Sequence, residues 1–195
     1  MSVVLTLGGC SGFDAIRAPS GSMTSTPPTP GAITSPVPSS SLVIHADGHA
    51  MTSFATPTGG IVCDVGSDAE LRCQVSFSTW SLPPRPPGCQ EGWGGSVDFG
   101  VAGGTLTCPN DSIIPDAAPG APGTWWQATA AAHVVTANVI THDSRGVPVV
   151  ALPYGASVVV VGSAGTLTCA VARTGVTCEI GRHRMMISRA SYSLS

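Results

Sequence analysis

The sequence predicts an all-β fold: a small, disulfide-stapled antiparallel domain, a sandwich or partly open barrel, behind a disordered N-terminal tether. Three observations predict it. Apolar and polar residues alternate with period two in several short runs cut by glycine turns. Six cysteines sit within or beside those runs. Helix-favouring surface residues are scarce: only 10% of the 195 residues are charged, all eight basic residues are Arg, and 24 Gly and 17 Pro interrupt the chain.

Strands come in paired phrases. Gly60-Ile61-Val62-Cys63-Asp64-Val65 and Leu71-Arg72-Cys73-Gln74-Val75 flank the turn cluster Gly66-Ser67-Asp68-Ala69-Glu70. Gly165-Thr166-Leu167-Thr168-Cys169-Ala170-Val171 and Val176-Thr177-Cys178-Glu179-Ile180 flank Ala172-Arg173-Thr174-Gly175 in the same way. Each reads as a hairpin with one Cys on each arm. Facing residues of antiparallel strands lie at Cα separations a disulfide accepts. Cys63–Cys73 and Cys169–Cys178 are therefore expected as cross-strand bridges, and locality pairs Cys89 with Cys108. Gly104-Thr105-Leu106-Thr107-Cys108 repeats Gly165-Thr166-Leu167-Thr168-Cys169 letter for letter, an echo of one supersecondary unit.

Ser96-Val97-Asp98-Phe99-Gly100-Val101 alternates and reads as another strand. Ser157-Val158-Val159-Val160-Val161 is apolar on both faces, which predicts a central strand or one covered on both sides. Residues 82–88 and 115–124 are rich in Pro and Gly and are expected as loops, because Pro has no N–H for a sheet interior. The segment from Trp125 to Ile140 is ambiguous: Trp-Trp-Gln-Ala-Thr-Ala-Ala-Ala suits a short helix, whereas 133–141 reads better as strand. A turn at Asp143–Gly146 and a strand from Val147 follow.

The N-terminal quarter has a different character. Leu7-Gly8-Gly9-Cys10 fits a bacterial lipobox, with small residues before a Cys that accepts a diacylglyceryl group. The preceding apolar stretch is short and carries no basic residue, which implies a start upstream of Met1. The competing reading of Cys10 is a chance cysteine near a terminus. Lipidation of Cys10 leaves an even six cysteines, the number an oxidising, exported setting pairs fully. Six Pro and eleven Ser or Thr fill residues 18–41. So little apolar surface cannot offset chain entropy, which predicts a disordered spacer. The expected organisation is a signal remnant over 1–9, a lipid-anchored linker over 10–49 and the disulfide domain over 50–195.

The chemistry-bearing residues select no catalytic set. A net charge of -3 argues against a nucleic-acid binder. No apolar run reaches membrane-spanning length. No cysteine spacing suits zinc, and His45-Ala-Asp-Gly-His49 is read as solvated rather than metal-binding. His133, His142 and His183 are candidate bases and Asp98, Asp111 and Asp143 candidate orienters, but their spacing selects none. No G-x-S-x-G elbow and no paired carboxylates stand out. No catalytic residue, metal or cofactor is assigned.

Aromatic residues give the best binding hint. Trp80 and Trp93 are expected to bury against the disulfides and the Pro loop. Neighbouring Trp125 and Trp126 point to opposite faces of any strand, so they are the candidate exposed contact patch. Arg182 and Arg184, with Arg173 and Arg189, leave the C-terminal segment basic against Glu179 alone, which suits an anionic envelope polymer or lipid. The bland reading is a charged strand face that blocks edge pairing.

Six phrases, in order, carry a family resemblance. Phe54-Ala-Thr-Pro57-Thr58-Gly59-Gly60-Ile61-Val62-Cys63, Trp80-Ser-Leu-Pro-Pro-Arg-Pro-Pro-Gly-Cys89, Gly92-Trp93-Gly94, Cys108-Pro-Asn-Asp111-Ser112, Leu152-Pro153-Tyr154-Gly155 and Ser188-Arg189-Ala190-Ser191-Tyr192 span nearly the whole domain. Together they resemble a domain found in actinobacterial secreted proteins and lipoproteins, mycobacterial ones included. The chain departs from that pattern at Arg182-His183-Arg184-Met185, where both glycines of a G-H-G-F step are replaced, and at Thr58-Gly59-Gly60 in place of S-G-N. Residues 115–147 look like an insertion. The resemblance implies an exported, disulfide-linked, β-rich protein and carries no activity with it. The expected function is a non-catalytic binding or scaffolding module at the membrane or cell-wall surface. Its partners are then the membrane, through the lipid, and an envelope polymer or protein. A glycan or ester hydrolase of the envelope and a host-contact adhesin are the alternatives.

Overall fold

The computed structural model describes residues 43–45, 51–90, 92–109, 111–122, 124–125 and 140–195. Its strands are β1 (Val43–His45), β2 (Met51–Ala55), β3 (Ile61–Gly66), β4 (Leu71–Val75), β5 (Ser96–Gly100), β6 (Gly103–Thr107), β7 (Ile140–His142), β8 (Pro148–Val150), β9 (Ser157–Gly162), β10 (Gly165–Ala172), β11 (Gly175–Ile180), β12 (His183–Ile187) and β13 (Tyr192–Leu194). One 3-10 turn, η1 (Ile114–Ala117), lies between β6 and β7. Strands β2-β3-β4-β5-β6 form one sheet, β1-β9-β10-β11-β12-β13 a second, and β7-β8 a small third. Every strand pairing is antiparallel except β1 with β9. The chain divides into two units, Met1–Val37 and Pro38–Ser195, and all described residues belong to the second.

The expected all-β, disulfide-stapled architecture is what forms, and its core explains why. In the five-stranded sheet Phe54, Cys63, Cys73, Val97 and Leu106 stand in register across all five strands. In the six-stranded sheet Val158, Cys169, Cys178, Met185 and Leu194 do the same. Each row is centred on a disulfide, and both rows belong to one buried core. The two sheets therefore pack inner face to inner face as a sandwich, each pinned in register at its middle. Cys63–Cys73 and Cys169–Cys178 both span facing positions with Cα atoms 4.1 Å apart. Cys89–Cys108 joins the proline loop to the end of β6, as locality suggested.

Where the sandwich departs from the sequence reading, layers outside the two sheets decide. The alternation of β3 predicts one buried face, yet Val62 and Asp64 on its other face are buried too. Ile113, Ile114, Ala117 and Val149 cover that outer face, making a second apolar cluster with Ala55 and Val62. Conversely β9 is a central strand, but one face stays open, with Val161 exposed. Residues β1 places in the sheet lie inside the segment expected to be linker, because its backbone pairs with β9. The run expected as strand over 133–141 lies mostly outside the described residues; its last part is β7. The two Gly-Thr-Leu-Thr-Cys copies differ in fate: Leu167 and Cys169 are interior, whereas Leu106 is half-buried and Cys108 leaves the sheet for Cys89. Gly104 is the reason β6 closes against the other sheet, since a Cβ there would sit 2.8 Å from Leu194.

Candidate functional site

The sandwich presents a cleft of about 450 Å³ built by six separate stretches of sequence. Thr56–Ile61 form its floor at the β2–β3 turn, and Ser76 and Phe77 follow β4. Tyr154 precedes β9, Arg173–Gly175 make the β10–β11 turn, and Ser188 and Arg189 follow β12. Three of the phrases that carry the family resemblance, those around Thr58, Tyr154 and Ser188-Arg189, thus meet at a single place.

Close backbone approaches bring these stretches together. Gly59 has φ +66°, and a Cβ on it would lie 2.0 Å from the carbonyl oxygen of His142. Gly175 has φ +134°, and its Cβ would lie 2.1 Å from the carbonyl oxygen of Ile187. Only glycine fits either contact. The second one carries the β10–β11 turn onto the end of β12, so Arg173 and Arg189 reach the same cleft.

Phe77 is the most exposed large apolar residue of the described chain, at 70%. Its φ is +54°, a backbone conformation costly for a bulky side chain. The neighbouring backbone holds it there. Ser76 N–H donates to Gly60 O at 2.9 Å and Thr79 N–H to Arg189 O at 2.9 Å. Arg189 Nε donates to Phe77 O at 3.1 Å. Sequence periodicity hides this residue, because continuing the β4 alternation beyond Val75 puts Phe77 inside. The chain leaves the strand at Val75, so the ring turns outward instead. Across the cleft the Arg173 guanidinium lies over the Tyr154 ring, 5.0 Å from its centre.

Asp143 is the one acid lining the cleft, and its oxygens are taken. They accept from the backbone N–H of Arg145 and Val147 at 2.9 and 2.7 Å and from Arg145 Nε at 3.2 Å. Burial opposes its charge, but those backbone donors and Arg145 hold the carboxyl below the usual range.

A second titratable site lies on the covered outer face of the five-stranded sheet. Ser53, Asp64, Arg72, Asp98 and Thr105 stand in one register row. Arg72 Nε binds Asp98 at 3.1 Å. Asp64 is 7% exposed, and its Oδ1 finds no hydrogen-bond partner among the described residues. Its pKa rises to about 7, first because burial disfavours the charge. The Ser53 hydroxyl lowers it, neighbouring Asp116 raises it, and Arg72 lowers it. No sequence spacing links Asp64 with Asp116; the η1 cover creates that pairing.

Several sequence candidates fall elsewhere. Trp125 is not an exposed contact: it is 0% exposed and belongs to the main core, because its segment runs beside β2, where Thr124 bridges to Ser53. Trp126, Cys10, His49 and His133 lie outside the described residues. Trp80 is buried as expected, its ring 4.8 Å from that of Tyr192. Trp93 is half-buried and donates to Pro83 O at 3.0 Å. The basic C-terminal group is split. Arg182 and Arg184 sit where β11 turns into β12, at the opposite end of the hairpin from Arg173 and Arg189. Arg184 pairs with Glu179 at 3.5 Å, its cross-strand neighbour. His183 Nδ1 lies 3.1 Å from Ser195 O, and His142 is exposed on β7. These two histidines are on different sheets, and the structure brings neither to Asp98, whose partner is Arg72.

Compared with known proteins, the chain matches no family model, no curated protein and no solved structure.

Proposed function

We propose that this chain is a cell-envelope lipoprotein of the actinobacterial type it resembles, anchored through Cys10, whose β-sandwich is a non-catalytic binding module. The observation that carries the binding reading is Phe77: a large apolar ring held in a strained backbone conformation and shown to solvent at the mouth of a cleft. The backbone strain is a cost the domain bears with no burial of the ring in return, and a ligand that covers the ring removes that apolar surface from water. The cleft volume falls within the range of about 300–1,000 Å³ common for small-ligand sites. The unit acts as a grip on envelope material outside the membrane, with the chain from Cys10 up to β1 as its spacer.

The test has two parts. Mass spectrometry of native protein is expected to find a diacylglyceryl group on Cys10, and an unmodified amino end would remove the anchor. Co-sedimentation with insoluble envelope polymer is expected to fall at least ten-fold in Phe77→Ala. Equal recovery of wild type and variant would remove the cleft.

A further inference from the structure

Taking the Phe77 cleft as the binding site, we infer that its ligand is an acidic saccharide, with a sugar ring on Phe77 and a carboxylate facing Arg173 and Arg189. Charge is the first reason. Two guanidinium groups line the cleft and neither has a carboxylate partner among the described residues. Arg189 is exposed and spends its Nε on Phe77 O. Arg173 is exposed and rests over the Tyr154 ring, a contact that leaves its charge unneutralised. The single acid in the wall, Asp143, is already saturated by Arg145 and two backbone N–H groups. The cleft is therefore cationic inside a chain of net charge -3. Planar guanidinium groups suit a carboxylate better than a point charge does.

The wall supplies the second reason. The hydroxyls of Ser76, Ser144 and Thr174 line the cleft and make no hydrogen bond among the described residues. Hydroxyls that both donate and accept match the hydroxyls of a pyranose, and an exposed aromatic face matches its C–H face. A peptide recognised through its main chain would need a strand edge to pair with. The cleft is formed by turns and strand ends, so it offers no such edge.

Titration calorimetry with the full chain tests this at low ionic strength. The probes are trigalacturonate, its methyl ester and pentaglutamate. Trigalacturonate is expected to bind at least ten-fold more tightly than the ester, and more tightly than pentaglutamate. Arg173→Gln is expected to abolish the difference between acid and ester, and Phe77→Ala to weaken both saccharides. Both positions are exposed, so the variants fold, which their melting curves check. Equal binding of acid and ester, with Phe77→Ala weakening both, would overturn the acidic class and keep the cleft. Tighter binding of pentaglutamate would overturn the saccharide class. Saccharide binding that ignores both substitutions would overturn the cleft itself.

Discussion

The indole Nε1 of Trp80 donates a 2.8 Å hydrogen bond to the carbonyl oxygen of Ser188, joining two segments 108 residues apart. Trp80 lies between β4 and β5 of the five-stranded sheet, and Ser188 follows β12 of the six-stranded one. The bond therefore sets the distance between the two sheets at the end where Phe77 and Arg189 meet.

Replacing Trp80 by Phe keeps an aromatic ring against Tyr192 and deletes the donor. A buried carbonyl that loses its partner costs about 1–3 kcal/mol. The expected result is an unfolding free energy lowered by that amount, read from the urea midpoint, with weakened ligand binding because Phe77 loses its support. An unchanged midpoint would mean that solvent satisfies Ser188.

Reduction of the three disulfides is expected to be ordered. Cys63, Cys73, Cys169 and Cys178 are fully buried, whereas Cys89 and Cys108 are partly exposed beside the proline loop. Thiol exchange needs access to sulfur. Mild reductant followed by alkylation and mass spectrometry should label Cys89 and Cys108 first. The double variants Cys63→Ala/Cys73→Ala and Cys169→Ala/Cys178→Ala should each lose about 2–4 kcal/mol. Labelling of the buried pairs before global unfolding would contradict the sandwich core.

Stability should peak on the acid side of neutrality. Asp64 has a folded pKa near 7 against a reference of 3.8, so the native state holds its proton more tightly. Its contribution is complete below about pH 4 and is lost as pH rises through about 7. The loss is on the order of 2–4 kcal/mol. Asp143 works in the opposite direction: its pKa is lowered, so its contribution is present above the ordinary carboxylate range and lost in acid. Urea midpoints should be higher at pH 5 than at pH 8. Asp64→Asn should flatten the alkaline decline, and a variant with the wild-type slope would show that Asp64 ionises normally.

Gly59→Ala should be severe and Gly146→Ala mild. Both glycines have positive φ, but an added Cβ at Gly59 strikes the His142 carbonyl while nothing lies within 4 Å of one at Gly146. Backbone strain alone costs about 1 kcal/mol, and a forced shift of a packed loop brings the total to about 2–4 kcal/mol. Thermal melts of the two variants measure the difference. Similar melting temperatures would show that the 142–143 loop yields easily.

Much of the frame was legible in the chain. Cysteines placed on facing arms of two hairpins announced their own pairing, because a short turn sets the register of its strands. The site was not legible to the same degree. Trp125, expected as an exposed contact, went into the core, while Phe77, which the sequence did not single out, is the ring left in solvent. Local alternation cannot report where a strand stops, and β4 stops at Val75. Four arginines close in sequence separated into two groups, since a hairpin sends its two ends in opposite directions.

The amino-acid sequence by itself determined the strand class, the hairpins and the three sulfur pairs. Each depends on contacts between residues at most 19 positions apart. Tertiary structure alone decided the cleft, the charge it carries and the proton held by Asp64. Those depend on which turns the packed sheets bring together and on which polar groups a cover removes from water. Burial and long-range proximity belong to the whole fold, and no local pattern encodes them.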